Sequence, residues 1–383
     1  MALNKVAASI LAYILIILIG FVAVVLVSRR QVVFGSNIAC KTPRLSKTAK
    51  QKTEDKSGSK IKLFSLLLMI AVPLVFAGIR TVGADYYSYR NTFYSITFVE
   101  SLRLDLGFFL YTYFSRLILR NYNIYLFVTS FLTLFLAYKG LYKLKGLAYF
   151  PVAVLFYLVL SYLQSFNLVR MYFAQAILIF ALADLLNKKY FRYIVICLLA
   201  STIHFTAIIG LMFLLLRLNK KKISLFIIIA FVILLLFASQ IFFATTSFLP
   251  GHFAYYVYQG IGPLVIGHVV PIKCLAMLLP LFYLRRRLKR DIFNFLVYVV
   301  VCYLLISLLG FRVPVIGRLT IHFFPIIMFL FAYAYKNCPK GDRALFKVYI
   351  AGFCAVWLLM YFVWTLPLDG LERYATIFNR GAL

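Results

Sequence analysis

Apolar residues along this chain of 383 residues occur in long uninterrupted runs rather than in alternation with polar ones. The runs recur from one end to the other and are roughly 17 to 25 residues long, which is the length that a helix needs to cross the hydrocarbon core of a bilayer. Residues 223–238, for example, read ISLFIIIAFVILLLFA. A transmembrane barrel would instead need alternating segments of about ten residues. The pattern therefore predicts an all-α polytopic integral membrane protein.

Short clusters of Lys and Arg separate the apolar runs and set their orientation, because cytoplasmic loops carry an excess of these residues. With the clusters on the cytoplasmic side, the pattern predicts about ten transmembrane spans and places both termini outside. The predicted spans are 6–27, 63–79, 122–138, 147–164, 167–186, 223–240, 269–284, 292–310, 319–335 and 348–364.

The whole chain, 1–383, is predicted to form a single transmembrane domain with three long connections. Residues 28–62 are rich in Lys, Ser and Thr and are predicted to be a basic, flexible cytoplasmic loop. Residues 80–121 are predicted to be an outer loop with an interfacial or re-entrant helix over 106–119, which is too short to span. Residues 241–268 are predicted to be a second outer loop.

Residues 193–216 are apolar but have basic clusters on both sides. The charge rule then places both ends inside, which favours a hairpin with His204 at its apex; a single crossing is the alternative. Short or broken helices in membrane proteins are tolerated mainly where they line a cavity. We therefore expect the functional region to include this stretch and residues 106–119.

The formal net charge of +31 would suggest a nucleic-acid partner in a soluble protein. Here the charge lies mostly in the predicted cytoplasmic loops, so we interpret it as a topology signal and a contact for anionic membrane lipids. No nucleic-acid partner is predicted. The six cysteines include no CxxC, and neither HExxH nor a P-loop occurs. The sequence therefore predicts no metal site and no cofactor.

Arginine dominates the basic residues of the predicted outer face, and its planar guanidinium matches phosphate oxygens better than the ammonium of lysine does. Arg170 and Arg318 lie at the outer ends of long apolar runs. A charge there is costly unless it faces a wet cavity or an anionic partner, so both are candidate functional residues. Extension of the side chain to the membrane interface is the alternative. Further outer arginines are Arg80, Arg90 and Arg373.

Asp85 is the most suggestive outer carboxylate, because Arg80 and Arg90 flank it in IRTVGADYYSYRNTF. Nearby cations keep a carboxylate ionised, as a general base or an acceptor for sugar hydroxyls must be. Capping of the loop or an ion pair is the alternative. The adjacent Tyr86 and Tyr87 could stack on sugar rings, although an aromatic belt at the interface gives the same composition.

His204, in STIHFT, is a candidate general base or phosphate contact at the hairpin apex. A histidine in an apolar run can equally be a helix-packing residue, and this alternative stays open.

The order of these pieces resembles the EpsG family of Wzy-like bacterial polysaccharide polymerases over most of the chain from about residue 75. The pieces are GADYYSYRNTF, FNLVRMYFAQAILIFALADL, LLASTIHFTAIIGL, GRLTIHFF and RYATIF. The motif residues of the family fall on Gly83, Asp85, Tyr86, Arg170, Ala174, Ser201, His204 and Arg318. Many relatives have tyrosine after the late arginine, where this chain has His322 and Phe323.

The resemblance implies a polymerase that joins oligosaccharide repeat units carried on undecaprenyl pyrophosphate, at the outer face of the bacterial cytoplasmic (inner) membrane. We accordingly predict Arg170 and Arg318 on the pyrophosphate, with Arg80 or Arg90 assisting. Asp85 or His204 is predicted as base or sugar contact. The predicted catalytic set is thus Asp85, His204 and Arg170, and the predicted substrate-binding set is Arg80, Arg90, Arg170, Arg318, Tyr86, Tyr87 and Arg373.

We further expect a GT-C-like glycosyltransferase architecture, and a chain-length regulator and a flippase of the same pathway as partners. Three alternative functions stay open at this point. They are a flippase or transporter for lipid-linked oligosaccharide, an O-antigen ligase-like transferase, and a membrane acyltransferase that modifies a surface glycan.

Overall fold

The computed structural model describes residues 2–36, 69–97, 105–218, 221–237, 269–371 and 375. Within these ranges the chain contains helices and no β-strand, as predicted. The helices are α1 (Ala2–Ser36), α2 (Met69–Gly78), α3 (Tyr86–Ser95), α4 (Leu106–Leu119), α5 (Tyr122–Lys143), α6 (Phe150–Tyr157), α7 (Val169–Leu186), α8 (Tyr190–Ile203), α9 (Gly210–Arg217), α10 (Lys221–Leu236), α11 (Val269–Tyr283), α12 (Arg290–Arg312), α13 (Phe324–Asn337) and α14 (Arg343–Met360).

Turns of other helix types extend four of these helices. A π-helical turn, Leu158–Tyr162, follows α6, and another, Tyr361–Thr365, follows α14. A 3₁₀-helix, Phe205–Ile209, precedes α9, and a second one, Arg318–Phe323, precedes α13. Such irregular turns interrupt regular helix packing and often occur at functional positions.

Six helical segments in the described part of the chain are long and apolar enough to cross a membrane, so the chain is a membrane protein. The other apolar helices have 10–17 residues, so the total of about ten spans and the GT-C-like architecture stay predictions. The six segments are Val6–Leu26, Tyr122–Lys143, Val169–Leu186, Arg290–Phe311, Arg318–Asn337 and Arg343–Leu368.

The predicted connections are partly helical. Helix α1 extends to Ser36 and so includes the beginning of the predicted loop 28–62, whose residues 37–62 lie outside the described part of the chain. The predicted outer loop 80–121 contains α3 and α4, and α4 matches the short helix expected over 106–119. The predicted outer loop 241–268 lies outside the described residues.

Helix α7 lies at the centre of the bundle, and all but two of its residues are buried. It packs against α5, α8 and α13. Gly140 allows α5 to approach α7 closely, because a Cβ at that position would lie 2.6 Å from the backbone of Ile179 and Phe180. Small residues permit this kind of close helix contact within membranes.

Helices α8 and α9 run antiparallel and form a hairpin with His204 at its apex. The hydroxyl of Tyr193 donates a hydrogen bond to the Gly210 carbonyl at 2.9 Å, and a Cβ on Gly210 would lie 2.9 Å from the Cys197 sulfur. In one straight helix, Tyr193 and Gly210 would be about 25 Å apart along the axis. His204 has an extended backbone that ends α8, so the chain reverses there. This geometry selects the hairpin over the single crossing.

The hairpin begins and ends beside ion pairs between basic residues and aspartates. Asp184, near the end of α7, lies 3.4 Å from Arg192 and 3.7 Å from Lys143. Arg217, at the end of α9, lies 2.8 Å from Asp291. We call this end of the bundle the Asp184 end and the opposite end, where α7 begins, the Arg170 end. The two residues are about 21 Å apart along α7.

Candidate functional site

Asp105 joins three elements at the Arg170 end. It precedes α4, and its Oδ1 accepts a hydrogen bond from the Phe205 N–H at the hairpin apex (3.2 Å). Its Oδ2 lies 3.6 Å from Arg170 Nη1 and 3.8 Å from His204 Nδ1. One carboxylate therefore holds the apex of the hairpin against the first turn of α7.

A threonine hydroxyl connects His204 to a second histidine. The Thr206 Oγ1 lies 2.7 Å from His322 Nε2 and 3.5 Å from His204 Nδ1. The two imidazole rings are 6.4 Å apart and roughly perpendicular. His322 is fully buried, and its Nδ1 has no hydrogen-bond partner within the described residues. We call Asp105, Arg170, His204, Thr206, Arg318 and His322 the apex cluster.

His204 is neutral in this setting. Burial lowers the pKa of His204 to about 4, and the guanidinium groups of Arg170 and Arg318 contribute to the decrease. Because Nδ1 faces the Asp105 carboxylate, the tautomer with its proton on Nδ1 is favoured. The Nε2 atom then carries a lone pair and can accept a proton.

Arg170 is held by aromatic and carboxylate groups rather than by backbone carbonyls. Its guanidinium lies 5.4 Å from the centre of the Phe108 ring, and Tyr89 hydrogen-bonds to it. The side chain is 28% exposed, and its buried Nε has no hydrogen-bond partner within the described residues. An unpaired buried donor is costly, so the group is suited to an incoming anion.

Asp85 belongs to a second set of residues, which we call the Asp85 loop: Arg80, Gly83, Asp85, Asn167 and Asp369. The Asp85 N–H donates to Asn167 Oδ1 (2.9 Å), and Asn167 Nδ2 donates to Asp369 Oδ1 (2.9 Å). Gly83 has φ +120, which favours glycine, and a Cβ there would lie 3.0 Å from the carbonyl oxygen of Phe166. Asp85 precedes α3 but makes no side-chain capping bond.

Asp369 is buried within this loop. Its other carboxylate oxygen accepts a hydrogen bond from the Tyr361 hydroxyl (3.3 Å), and its backbone carbonyl accepts one from the Ala84 N–H (2.8 Å). Burial raises the pKa of Asp369 to about 6, against the opposing effect of its bonds to Asn167 and Tyr361, and the nearby Asp85 raises it further. These contacts connect the end of α14 to the Asp85 loop.

Arg80, a predicted substrate-binding residue, is buried and surrounded by carbonyl oxygens. Its guanidinium donates to the Phe166 carbonyl (3.2 Å), the Ser165 carbonyl (3.5 Å) and the Ala77 carbonyl, and it stacks on the Phe166 ring at 4.7 Å. With these donors engaged, the geometry favours a structural role over a substrate contact.

The remaining predicted site residues differ in accessibility. Tyr86 is buried, with its ring 5.4 Å from that of Tyr122, so it packs within the protein and is not accessible for stacking on a sugar. Tyr87 is 59% exposed, and Arg90 is half-buried on α3. Arg373 lies outside the described residues.

The structure thus brings together three of the predicted residues, Arg170, His204 and Arg318. It places Arg80 in the Asp85 loop instead, against backbone carbonyls. Five further polar residues were not predicted as site residues: Asp105, Thr206, His322, Asn167 and Asp369. Two of them carried a signal in the sequence. An Asp directly before an apolar helix is a typical N-terminal residue of that helix, although the Asp105 side chain makes no capping bond, and His322 lies in GRLTIHFF, close after Arg318. Among the described residues, no group of three or more His, Cys, Asp or Glu side chains is placed to hold a metal ion.

Comparison with known families identifies a family whose model covers most of the chain. The model of the EpsG family matches residues 63–376, a range that includes every residue of the apex cluster and the Asp85 loop.

The chain belongs to the EpsG family. The resemblance inferred from the sequence is confirmed, and since EpsG family members are Wzy-like polymerases, the chain is a polysaccharide polymerase-like membrane protein. No curated protein and no solved structure matches it.

Proposed function

We propose that this EpsG family protein joins undecaprenyl-pyrophosphate-linked oligosaccharide repeat units at the outer face of the bacterial cytoplasmic membrane. The apex cluster is the observation that supports this proposal. It gathers two arginines, a neutral histidine and a carboxylate at the end of the bundle opposite the basic ion pairs. That combination suits a reaction in which a diphosphate leaves and a hydroxyl loses a proton.

Arg170 and Arg318 bind the pyrophosphate of the donor chain in this proposal. The Arg318 side chain is exposed, and the Arg170 side chain is partly exposed with an unpaired Nε. Guanidinium groups form bidentate hydrogen bonds to phosphate oxygens. Cationic donors fixed where negative charge develops stabilise the transition state, particularly in a site with little water.

His204 is the general base in this proposal. The acceptor hydroxyl attacks the anomeric carbon of the donor, the bond from that carbon to the pyrophosphate oxygen breaks, and the hydroxyl proton passes to His204 Nε2. Undecaprenyl pyrophosphate leaves with the electron pair of the broken bond. Asp105 orients the ring through Nδ1 and balances the imidazolium charge that forms. Asp85, with the exposed Tyr87 beside it, contacts sugar.

The proposed partners follow from this substrate. They are the undecaprenyl-pyrophosphate-linked oligosaccharide, membrane lipids, and a chain-length regulator and a flippase of the same pathway. The proposed reaction uses no cofactor, metal ion or nucleic acid.

Deletion of the protein in its host tests the proposed function. We expect long surface polysaccharide to disappear while single repeat units remain on the lipid carrier or on an acceptor, as measured by size analysis of both pools. Long polymer with only its decoration changed would contradict polymerisation and favour the acyltransferase. Repeat units confined to the inner leaflet would favour the flippase.

A further inference from the structure

An apolar groove runs from the apex cluster along the outside of the hairpin. It lies between the second arm of the hairpin and α10, with a volume of about 480 Å³. This size falls within the range of roughly 300–1,000 Å³ that is common for small-molecule sites. Its lining residues include Phe205, Thr206, Met212, Phe226, Ala230 and Leu319.

The groove begins at the apex cluster itself. Thr206 belongs to both, because it lines the groove and its hydroxyl contacts His322. Phe205 follows His204 in the chain and donates its N–H to Asp105. Leu319 follows Arg318, the second candidate phosphate ligand. A molecule with an anionic head on the arginines would therefore have the groove directly beside it.

The walls beyond this point are apolar and face the surroundings of the bundle. Thr206 is the one polar residue among those that line the groove. Phe205 is 58% exposed and Phe226 is 71% exposed, so a chain within the groove can continue out of it. In a membrane protein such exposed apolar side chains face hydrocarbon, which lets the occupant extend into the bilayer.

We propose that this groove binds the first part of the isoprenoid chain of the lipid carrier, with its diphosphate on Arg170 and Arg318. The inference rests on the proposed function for the isoprenoid identity of the chain. One feature of the site favours a diphosphate over the head group of an ordinary acyl lipid. The two guanidinium groups beside His204 suit the two phosphates of a diphosphate better than the single phosphodiester of an acyl lipid.

Binding of isoprenoid diphosphates of different length to the purified full-length protein tests the proposal. The probes are inorganic pyrophosphate, geranyl pyrophosphate, farnesyl pyrophosphate and undecaprenyl pyrophosphate, with phosphatidylglycerol as the competing acyl lipid. We expect affinity to rise with chain length until the groove is filled, by roughly tenfold for each two methylene groups buried. Excess phosphatidylglycerol should not displace undecaprenyl pyrophosphate.

Two substitutions fill the groove from opposite walls. Ala230→Trp and Met212→Trp should each weaken binding of undecaprenyl pyrophosphate at least tenfold and leave inorganic pyrophosphate unchanged. Ala351→Trp is the matched control, because Ala351 is an exposed alanine on α14 and does not line the groove. If Ala230→Trp also weakens pyrophosphate binding, it has disturbed the head site. The binding of undecaprenyl pyrophosphate by Met212→Trp then tests whether the groove holds the chain.

Several results would overturn the proposal. One is an affinity that does not depend on chain length, and another is displacement of undecaprenyl pyrophosphate by phosphatidylglycerol. A third is that both groove variants bind undecaprenyl pyrophosphate as tightly as the Ala351→Trp control does. Each of these results can be distinguished from failure of the proposed function. If binding depends on the groove but the deletion strain still makes long polymer, polymerisation is wrong and the lipid site stands.

Discussion

The apex cluster and the Asp85 loop lie at the same end of the bundle and contain the same kinds of residues, but their charged groups have different partners. In the apex cluster, Asp105 meets Arg170 and His204, side chain against side chain. In the Asp85 loop, the Arg80 guanidinium donates to backbone carbonyls, and the Asp369 carboxylate accepts from the uncharged side chains of Asn167 and Tyr361. A group whose donors are taken by the backbone holds the fold, whereas one that retains an unpaired donor can bind a ligand.

Among the substitutions, Arg170→Ala should have the largest effect on polymer formation. We expect polymer formation to fall by about 10²–10³-fold, because one preorganised donor to the leaving group is lost. The measurement is the rate of polymer formation in membranes, normalised to the amount of folded protein. Arg192→Ala is the matched control, since Arg192 is exposed and pairs with Asp184 at the other end. Equal rates for the two variants would contradict the assignment.

His204→Gln should have the next largest effect, a loss of about 10²-fold or more, because the proposed general base is removed while a polar side chain remains. The pH profile of the unmodified protein sharpens this test. A base must be unprotonated, and since the pKa of His204 is lowered to about 4, kcat/KM should stay level from pH 7 down to about 5. A fall in kcat/KM near pH 6.5 would indicate a histidine with its ordinary pKa.

The all-helical membrane character and the hairpin at His204 could be predicted from the sequence, because run length and the position of basic residues reflect the bilayer directly. The grouping of Arg170, His204 and Arg318 followed from the family resemblance. Asp105 could not be assigned a role, because its contacts with Arg170 and His204 depend on how α4 packs against the hairpin.

The different role of Arg80 was equally inaccessible to sequence reasoning. Its partners are backbone carbonyls of Ser165 and Phe166, and every residue supplies a carbonyl. No residue type or spacing therefore marks this site. In the sequence, Arg80 and Arg170 share the same feature, a position beside an apolar run.

Arg80→Ala should affect stability rather than chemistry. Carbonyl oxygens that now accept from the guanidinium would be left unsatisfied and buried, which costs about 1–3 kcal/mol. We expect a lower midpoint of thermal unfolding in detergent and unchanged polymer formation per folded molecule. A variant of normal stability that makes no polymer would instead return Arg80 to the substrate-binding set.

Asp369→Asn should have the smallest effect, a change in how stability depends on pH. The pKa of Asp369 in the folded protein is about 6, above its ordinary value, so folding favours the protonated form. This contribution is complete below about pH 4 and is lost as the pH rises through 6, with a magnitude of at most about 3 kcal/mol. The variant should remove that decline, as thermal unfolding between pH 4 and pH 7 would show. An unchanged decline would assign it to another group.

Reconstitution shows whether the apex cluster catalyses polymerisation. The purified protein in proteoliposomes would be supplied with undecaprenyl-pyrophosphate-linked repeat units, with polymer length and released undecaprenyl pyrophosphate measured together. We predict a ladder of products with one carrier released per linkage formed, and both products reduced by about 10²–10³-fold in the Arg170→Ala variant. A ladder from that variant equal to that of the unmodified protein, or carrier release without any linkage, would show that the apex cluster does not catalyse polymerisation.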